Sequence, residues 1–213
     1  MRIDRKKFFD ALRASKFNAG RLNQMTVDVA NGILDEVEKQ KVTSVEHVSV
    51  IFGQCHHEAG GRLASIKETV FASHADQNPS DSTVAARLDS AFRRGVMTWV
   101  KTPYWRKDAA GKYWFGRGAI QLTHKYNYDR LGKEIGVDLV SDPAKALDPY
   151  NAGRIAAVGM IKGIFTGKRL ADFRTRADMR RVVNGDYKDA KLQKSLAGYY
   201  DEYETIIKKA VIA

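Results

Sequence analysis

A chain of 213 residues with 44% apolar and 29% charged side chains can bury one sizeable core and has the composition of an ordinary globular domain. A single cysteine, Cys55, excludes an internal disulfide framework and reads as a small buried hydrophobe. The formal charge of +11 points to anionic surroundings, but the basic residues sit in scattered small groups without zinc-finger or basic-zipper spacing, so no nucleic-acid partner is expected. No apolar run approaches the roughly 20 residues that span a bilayer. None comes after the basic N-terminal stretch either, so the chain is expected to be made without a secretory leader.

Residues 5–17 and 24–42 carry apolar side chains at helical spacing and predict two amphipathic helices. Thr43-Ser44-Val45-Glu46 has the capping-box pattern, with a helix expected over 44–58. On that helix Val45, Val48, Phe52 and Cys55 form one apolar stripe, Glu58 lies at its edge, and Gly60-Gly61 ends it. Residues 71–83 read as a loop and 84–92 as a short helix. An aromatic, glycine-containing excursion covers 95–117, with room for a short hairpin and a polar tip at 107–112. Helices are then predicted over 125–134, ending at Gly136, and over 151–165, which is apolar on nearly all sides and therefore the expected central buried helix. Two more cover 177–183 and 190–212, the last with Leu196, Tyr199, Tyr203, Ile206 and Val211 as its apolar residues and a basic end that either docks on the core or disturbs membranes. No repeat or composition break divides the chain. The expectation is a single domain over 1–213, all-α with at most a minor β-hairpin, and no separate wall-binding module.

Two carboxylates and one hydroxyl carry the chemistry. Hydrolysis of a glycosidic bond needs an acid to protonate the leaving oxygen and a second carboxylate to activate water or attack carbon. Glu58 sits where burial and the negative end of a helix both disfavour charge, the setting of an acid; the next carboxylate, Glu68, lies beyond the Gly-Gly break, free to face it as base. A Glu at a helix end is also an ordinary surface residue. His56 and His57 lack HExxH spacing, so a metal site is not expected and packing or hydrogen bonding accounts for them. Thr123 either caps the helix beginning near His124 or holds an attacking water. Gln121, Asn127 and Asn184 are neutral amides suited to sugar hydroxyls and N-acetyl groups. The aromatics include Trp99 and Trp105, but Trp114 and Tyr126 are the ones expected to stack on sugar faces. Trp114 lies just before the stretch GRGAIQLTHKYNY, Gly116 to Tyr128, and Tyr126 lies within it.

In chain order, HHEAGG, FGRGAIQLTHKYNY, DPAKALDPYNAGRIAA and RRVVNG resemble a glycoside hydrolase family 19 chitinase-like domain of the phage endolysin type, over about residues 45–187. The resemblance implies a lysozyme-like, two-lobed helical fold with a substrate cleft, and cofactor-free, inverting hydrolysis of β-1,4 bonds beside N-acetylated sugars. It makes Glu58 the general acid, Glu68 the general base and Thr123 the water-positioning hydroxyl, and matches Gln121, Tyr126, Asn127 and Asn184 to substrate-cleft positions. The second Glu stands one residue further from the first than in many relatives. The disulfides of plant chitinases are absent, which fits a protein made inside a bacterium. The function expected is a monomeric endolysin that reaches peptidoglycan glycan strands from the host cytoplasm once the membrane is opened, with electrostatic contact to anionic wall or outer-membrane polymers. The alternatives are a chitinase and a non-catalytic basic wall- or nucleic-acid-binding module. Two carboxyls of an inverting enzyme should stand roughly 6.5 to 9.5 Å apart.

Overall fold

The computed structural model describes residues 1–68 and 78–212. Helix α1 spans Arg5–Ala14, α2 Gln24–Lys39 and α3 Val45–Glu58, and each begins at a side-chain cap: Asp4, Asn23 and Ser44 accept the N–H of Lys7, Thr26 and His47. The cap of α3 is therefore Ser44 and not Thr43. Ser44 holds the extended backbone that a cap requires, while Glu46 lies inside the first turn and bonds Arg176 at 3.2 Å. Helix α4, Asp81–Arg93, starts three residues before the apolar periodicity does, because Ser80 caps it at the Thr83 N–H. Most of the loop expected over 71–83 lies outside the described residues.

Helix α5 spans Lys125–Ile135 and ends at Gly136, whose φ of 69° is the left-handed conformation that suits glycine. Helix α6, Pro149–Lys162, begins two residues earlier than periodicity indicates, since Asp148 caps it and Pro149 occupies its first position. A short α7, Arg176–Met179, runs into a 3-10 turn at Arg180–Val182, and α8 covers Ala190–Ala210. Val211 is not helical: β4 (Val211–Ile212) pairs antiparallel with β1 (Arg2–Ile3), bringing the two ends of the chain together. The aromatic excursion contains no hairpin of its own among the described residues. Instead β3 (Arg117–Gly118) pairs with the distant β2 (Ile66–Lys67).

The all-α expectation holds, with strands only two residues long. The main core joins α1, α2, α3, α6 and α8; a second cluster lies under α5, and a third packs α4 against Trp105 and Phe115 of the excursion. Two helices share the central role expected of α6 alone. Residues 48–56 of α3 are all buried, as are most residues between Ala152 and Met160 of α6. The basic end of α8 is docked: Leu196, Tyr200, Tyr203, Ile206 and Ile207 are buried against the core. Each such side chain contributes about 1.5–3 kcal/mol. Among the described residues no helix is long and apolar enough to cross a membrane.

Helices α2 and α6 approach so closely that glycine is required on both. A Cβ at Gly32 would lie 2.1 Å from the Tyr150 carbonyl oxygen, and one at Gly153 would lie 2.1 Å from that of Val29. Gly153→Ala should therefore destabilise the fold by about 1–3 kcal/mol through forced separation of the pair. Gly198→Ala on α8, where a Cβ meets nothing within 4 Å, should leave stability unchanged or raise it by up to about 1 kcal/mol. Urea midpoints of the two variants test the contrast.

Candidate active site

Glu58 is the last residue of α3, and its partner is a buried cation. Arg180, 1% exposed, donates from Nη1 to Glu58 Oε1 at 2.5 Å and to Gln54 Oε1 at 2.7 Å. Its Nε and Nη2 hold both oxygens of Asp186 at 2.7 and 3.1 Å. Gln54, one turn before Glu58, in turn donates to the Tyr200 hydroxyl at 2.6 Å. Burial alone would raise Asp186, but the two Arg180 bonds outweigh it and hold its carboxyl below the ordinary range. Local sequence around Glu58 shows only influences that oppose its charge; Arg180, 122 positions away, supplies the opposite one. Among the described residues no protein donor reaches Glu58 Oε2.

A pocket of about 190 Å³ opens beside that carboxyl and gathers Glu58, Gln121, Thr123, Asn127 and Asn184 with Phe165. Thr123 does not cap α5. The cap position belongs to His124, which makes no side-chain cap bond, and the Thr123 hydroxyl has no hydrogen-bond partner among the described residues. Among the described residues Asn127 donates from Nδ2 to the Thr123 carbonyl at 3.1 Å and keeps its oxygen free, while Asn184 accepts the Gly185 N–H at 2.6 Å and keeps its NH2 free. Among the described residues the buried Gln121 Oε1 has no partner. The pocket thus presents a hydroxyl, an amide donor and amide acceptors around one carboxyl, the mixture that sugar hydroxyls and acetamido groups require.

Glu68 comes directly after β2 and does not line this pocket. Its Oε1 accepts the Tyr104 hydroxyl at 2.6 Å and its Oε2 the Gly116 N–H at 2.7 Å, while its own N–H donates to the Gly116 carbonyl at 2.7 Å. Burial raises the Glu68 carboxyl above its ordinary value, and the Tyr104 and Gly116 bonds and the nearby His124 pull it part of the way back. Gly116 connects the two carboxyl environments. A Cβ there would come within 2.6 Å of Gln121 Oε1 and 3.1 Å of Glu68 Oε2, so the pocket amide and the second carboxyl converge on one bare backbone position. His124 adds strain: its φ of 64° is rare for a non-glycine residue, and its ring lies 4.7 Å from that of Tyr104.

Arg117 of the Gly-Arg-Gly turn is structural. Its buried guanidinium donates to Asp81, the Tyr128 hydroxyl and the Tyr113 carbonyl and lies 3.8 Å from the Phe115 ring centre, so the turn is clamped to α4 and α5. One expectation needs correction. Trp114 is 5% exposed, edge-on to Tyr128 and bonded to Asp108 through its ring N–H; it is core and presents no face to a sugar. Tyr126 is 66% exposed, as a stacking residue must be; Arg130 lies over its ring, and it is not among the residues that line the pocket. His56 is a packing residue, buried between Phe17 and Tyr199 and bonded to the Tyr203 hydroxyl at 3.0 Å. Burial lowers it to about 4, so it stays neutral at physiological pH.

Sequence reasoning missed Arg180, Asp186, Gln54 and Tyr104. Arg180 stands in the same RRVVNG segment as Asn184, but one buried arginine among many exposed ones carries no local mark. Arg180→Ala should cost about 1–3 kcal/mol, because it takes the donor from the buried Gln54 oxygen and from the half-buried Glu58 carboxyl. Arg181→Ala, on a half-buried neighbour, should cost less than about 1 kcal/mol. Thermal unfolding of the two variants checks the difference.

Comparison with known proteins gives the family and the fold. The chitinase class I family profile, glycoside hydrolase 19, matches residues 35–158, more than half of the chain. Basic endochitinase B of Arabidopsis thaliana is 31% identical over 105 residues, 47% of this chain and 27% of its own length. Endochitinase 1 of Theobroma cacao is 55% identical over 42 residues, 19% of this chain and 13% of that one. The chain thus spans about a quarter or less of the length of these curated relatives. Among solved structures, chitinase C from Streptomyces griseus superposes with a TM-score of 0.61 at 17% identity, covering 97% of this chain and 76% of the other. The class IV chitinase from Zea mays superposes with a TM-score of 0.54 at 20% identity, over 94% and 90% of the two chains. By the extent of its match to the profile, this chain belongs to glycoside hydrolase family 19, the chitinase class I family.

Proposed function

We propose that this protein hydrolyses β-1,4 glycosidic bonds beside N-acetylated sugars, with peptidoglycan strands as substrate and lysis of a bacterial cell as the outcome. The observation that carries the reading is the convergence of Glu58, Thr123 and three amides on one pocket in a chain of this family. Glu58, whose side chain lines the pocket, gives its proton to the leaving glycosidic oxygen, with Arg180 bonded to one of its oxygens. A water held by the Thr123 hydroxyl attacks the anomeric carbon from the opposite face, and Glu68 takes the proton that the water loses. The raised Glu68 carboxyl is a stronger proton acceptor than an ordinary glutamate and is held in orientation by Tyr104 and Gly116. Inversion needs room for a water between the two carboxyls, and in this reading that water sits at Thr123, between the Glu58 pocket and Glu68.

The +11 charge favours peptidoglycan over chitin, since cell walls bear carboxylates and phosphates and chitin is neutral. In this reading the chain acts as a monomer, is made in the bacterial cytoplasm and meets the wall after another factor opens the membrane. Chitin is the second reading, favoured by the names of the relatives. Reducing-end release from purified peptidoglycan and from chitin oligomers decides between them, and mass spectrometry of the products identifies the bond.

Glu58→Gln keeps an oxygen for Arg180 but has no proton to give. It should lower kcat by roughly 10²–10⁴ while circular dichroism shows an intact fold; retained lysis of permeabilised cells rules Glu58 out as the acid. Glu68 must be ionised to act as base, so activity should fall on the acid side as pH drops through its raised value. Tyr104→Phe removes a donor that favours the ionised form, so the acid limb of kcat/KM should move to higher pH. An unmoved limb removes Glu68 from that role.

A further inference from the structure

A second cavity, about 500 Å³, is lined in part by the segment that links the two carboxylates along the chain. That segment, from Gly60 to Ser65, runs from the end of α3 to β2, and its Arg62 and Leu63 form one wall. The opposite wall is the turn between α1 and α2, which presents Arg21. Both turns are held firmly. Gly61 and Arg62 donate their N–H groups to the His56 carbonyl at 2.9 and 3.1 Å; Gly20 and Arg21 donate theirs to the carbonyls of Arg13 and Asn18 at 3.0 and 2.8 Å.

The chemistry of the rim is one-sided. The side chains of Arg21 and Arg62 are exposed, and among the described residues neither guanidinium has an acidic partner, whereas Arg5, Arg13, Arg106, Arg117, Arg154, Arg169, Arg176 and Arg180 are each ion-paired. Asn23 uses its oxygen to cap α2, which leaves its NH2 as a further donor. The floor is apolar, with Phe17 lying against His56 and Tyr203, and with Met25 and Leu63 beside it. Two fork-shaped cations, an amide donor and an apolar floor fit a carboxylate on a short, partly apolar peptide. A neutral glycan would leave both cations unused.

On the reading that the substrate is peptidoglycan, we propose that this cavity is a subsite for the carboxylate-bearing peptide stem of the strand. Its occupation bears directly on the segment joining Glu58 to Glu68. The site favours strands that carry stems over bare glycan, and so distinguishes peptidoglycan from chitin by contacts outside the sugar pocket.

The test is calorimetric titration of the Glu58→Gln protein with free stem tetrapeptide and, separately, with inorganic phosphate. Peptide binding that weakens by about tenfold or more in Arg21→Ala/Arg62→Ala, and recovers in part with lysine at both positions, supports the subsite. No peptide binding, binding indifferent to both arginines, or phosphate bound as tightly as the peptide overturns it. In otherwise wild-type protein the same double alanine variant should lower kcat/KM on stem-bearing strands and leave it unchanged on strands stripped of peptide by an amidase. An equal fall on both substrates overturns the proposal, since the arginines would then act only through the catalytic segment. Reducing-end release by the unmodified protein is read separately: its absence defeats the hydrolase reading, while peptide affinity still decides the subsite.

Discussion

The burial of one guanidinium organises the site. A cation removed from water must keep its donors bonded, and Arg180 meets that need by joining the C-terminal turn of α3, through Gln54 and Glu58, to the segment that carries Asn184 and Asp186. Were the charge left unpaired, its desolvation would cost several kcal/mol, so the two segments are bound to one geometry. Glu58 and Asn184, far apart in the chain, therefore face the same pocket. The interaction sets both the position and the electrostatics of the carboxyl.

The opposite side of the site depends on a second buried arginine. Arg117 clamps the Gly-Arg-Gly turn to Asp81 and Tyr128, and the β2–β3 pair holds that turn against the strand leading to Glu68. The glycines beside it then serve proximity: Gly116 brings its bare N–H to Glu68 and leaves space for Gln121. The two arginines support different carboxylates, one through direct ion pairing and one through the backbone. That difference is why Glu68 keeps a raised value from burial, while Glu58 shares its oxygen with a permanent charge.

Much of this was legible along the chain. Helix placement came from apolar spacing, and the ends at Gly60-Gly61 and Gly136 came from glycine. Where boundaries moved, a cap had decided them: Ser80 and Asp148 start their helices earlier than the apolar pattern does, because capping acts on backbone donors that hydrophobic periodicity does not register. Glu58, Gln121, Thr123, Asn127 and Asn184 were each singled out by residue type and motif, and the fold gathers all five. The aromatics were the poorest guide. Trp114 and Tyr126 lie close together along the chain, yet one fills the core and the other faces solvent, since stacking on a sugar and packing in a core ask for the same side chain.

The sequence by itself determined the helical class, the family and the neutral polar set of the pocket, because periodicity, capping residues and a contiguous motif are local properties. Tertiary structure alone decided which carboxyl is ion-paired and which is buried among neutral donors, that β3 pairs across the chain with β2, and that two arginines without an acidic partner among the described residues frame a second cavity. Those outcomes depend on which distant groups are brought within a few ångströms of one another, and on how much water is excluded there, neither of which has a signature in residue order.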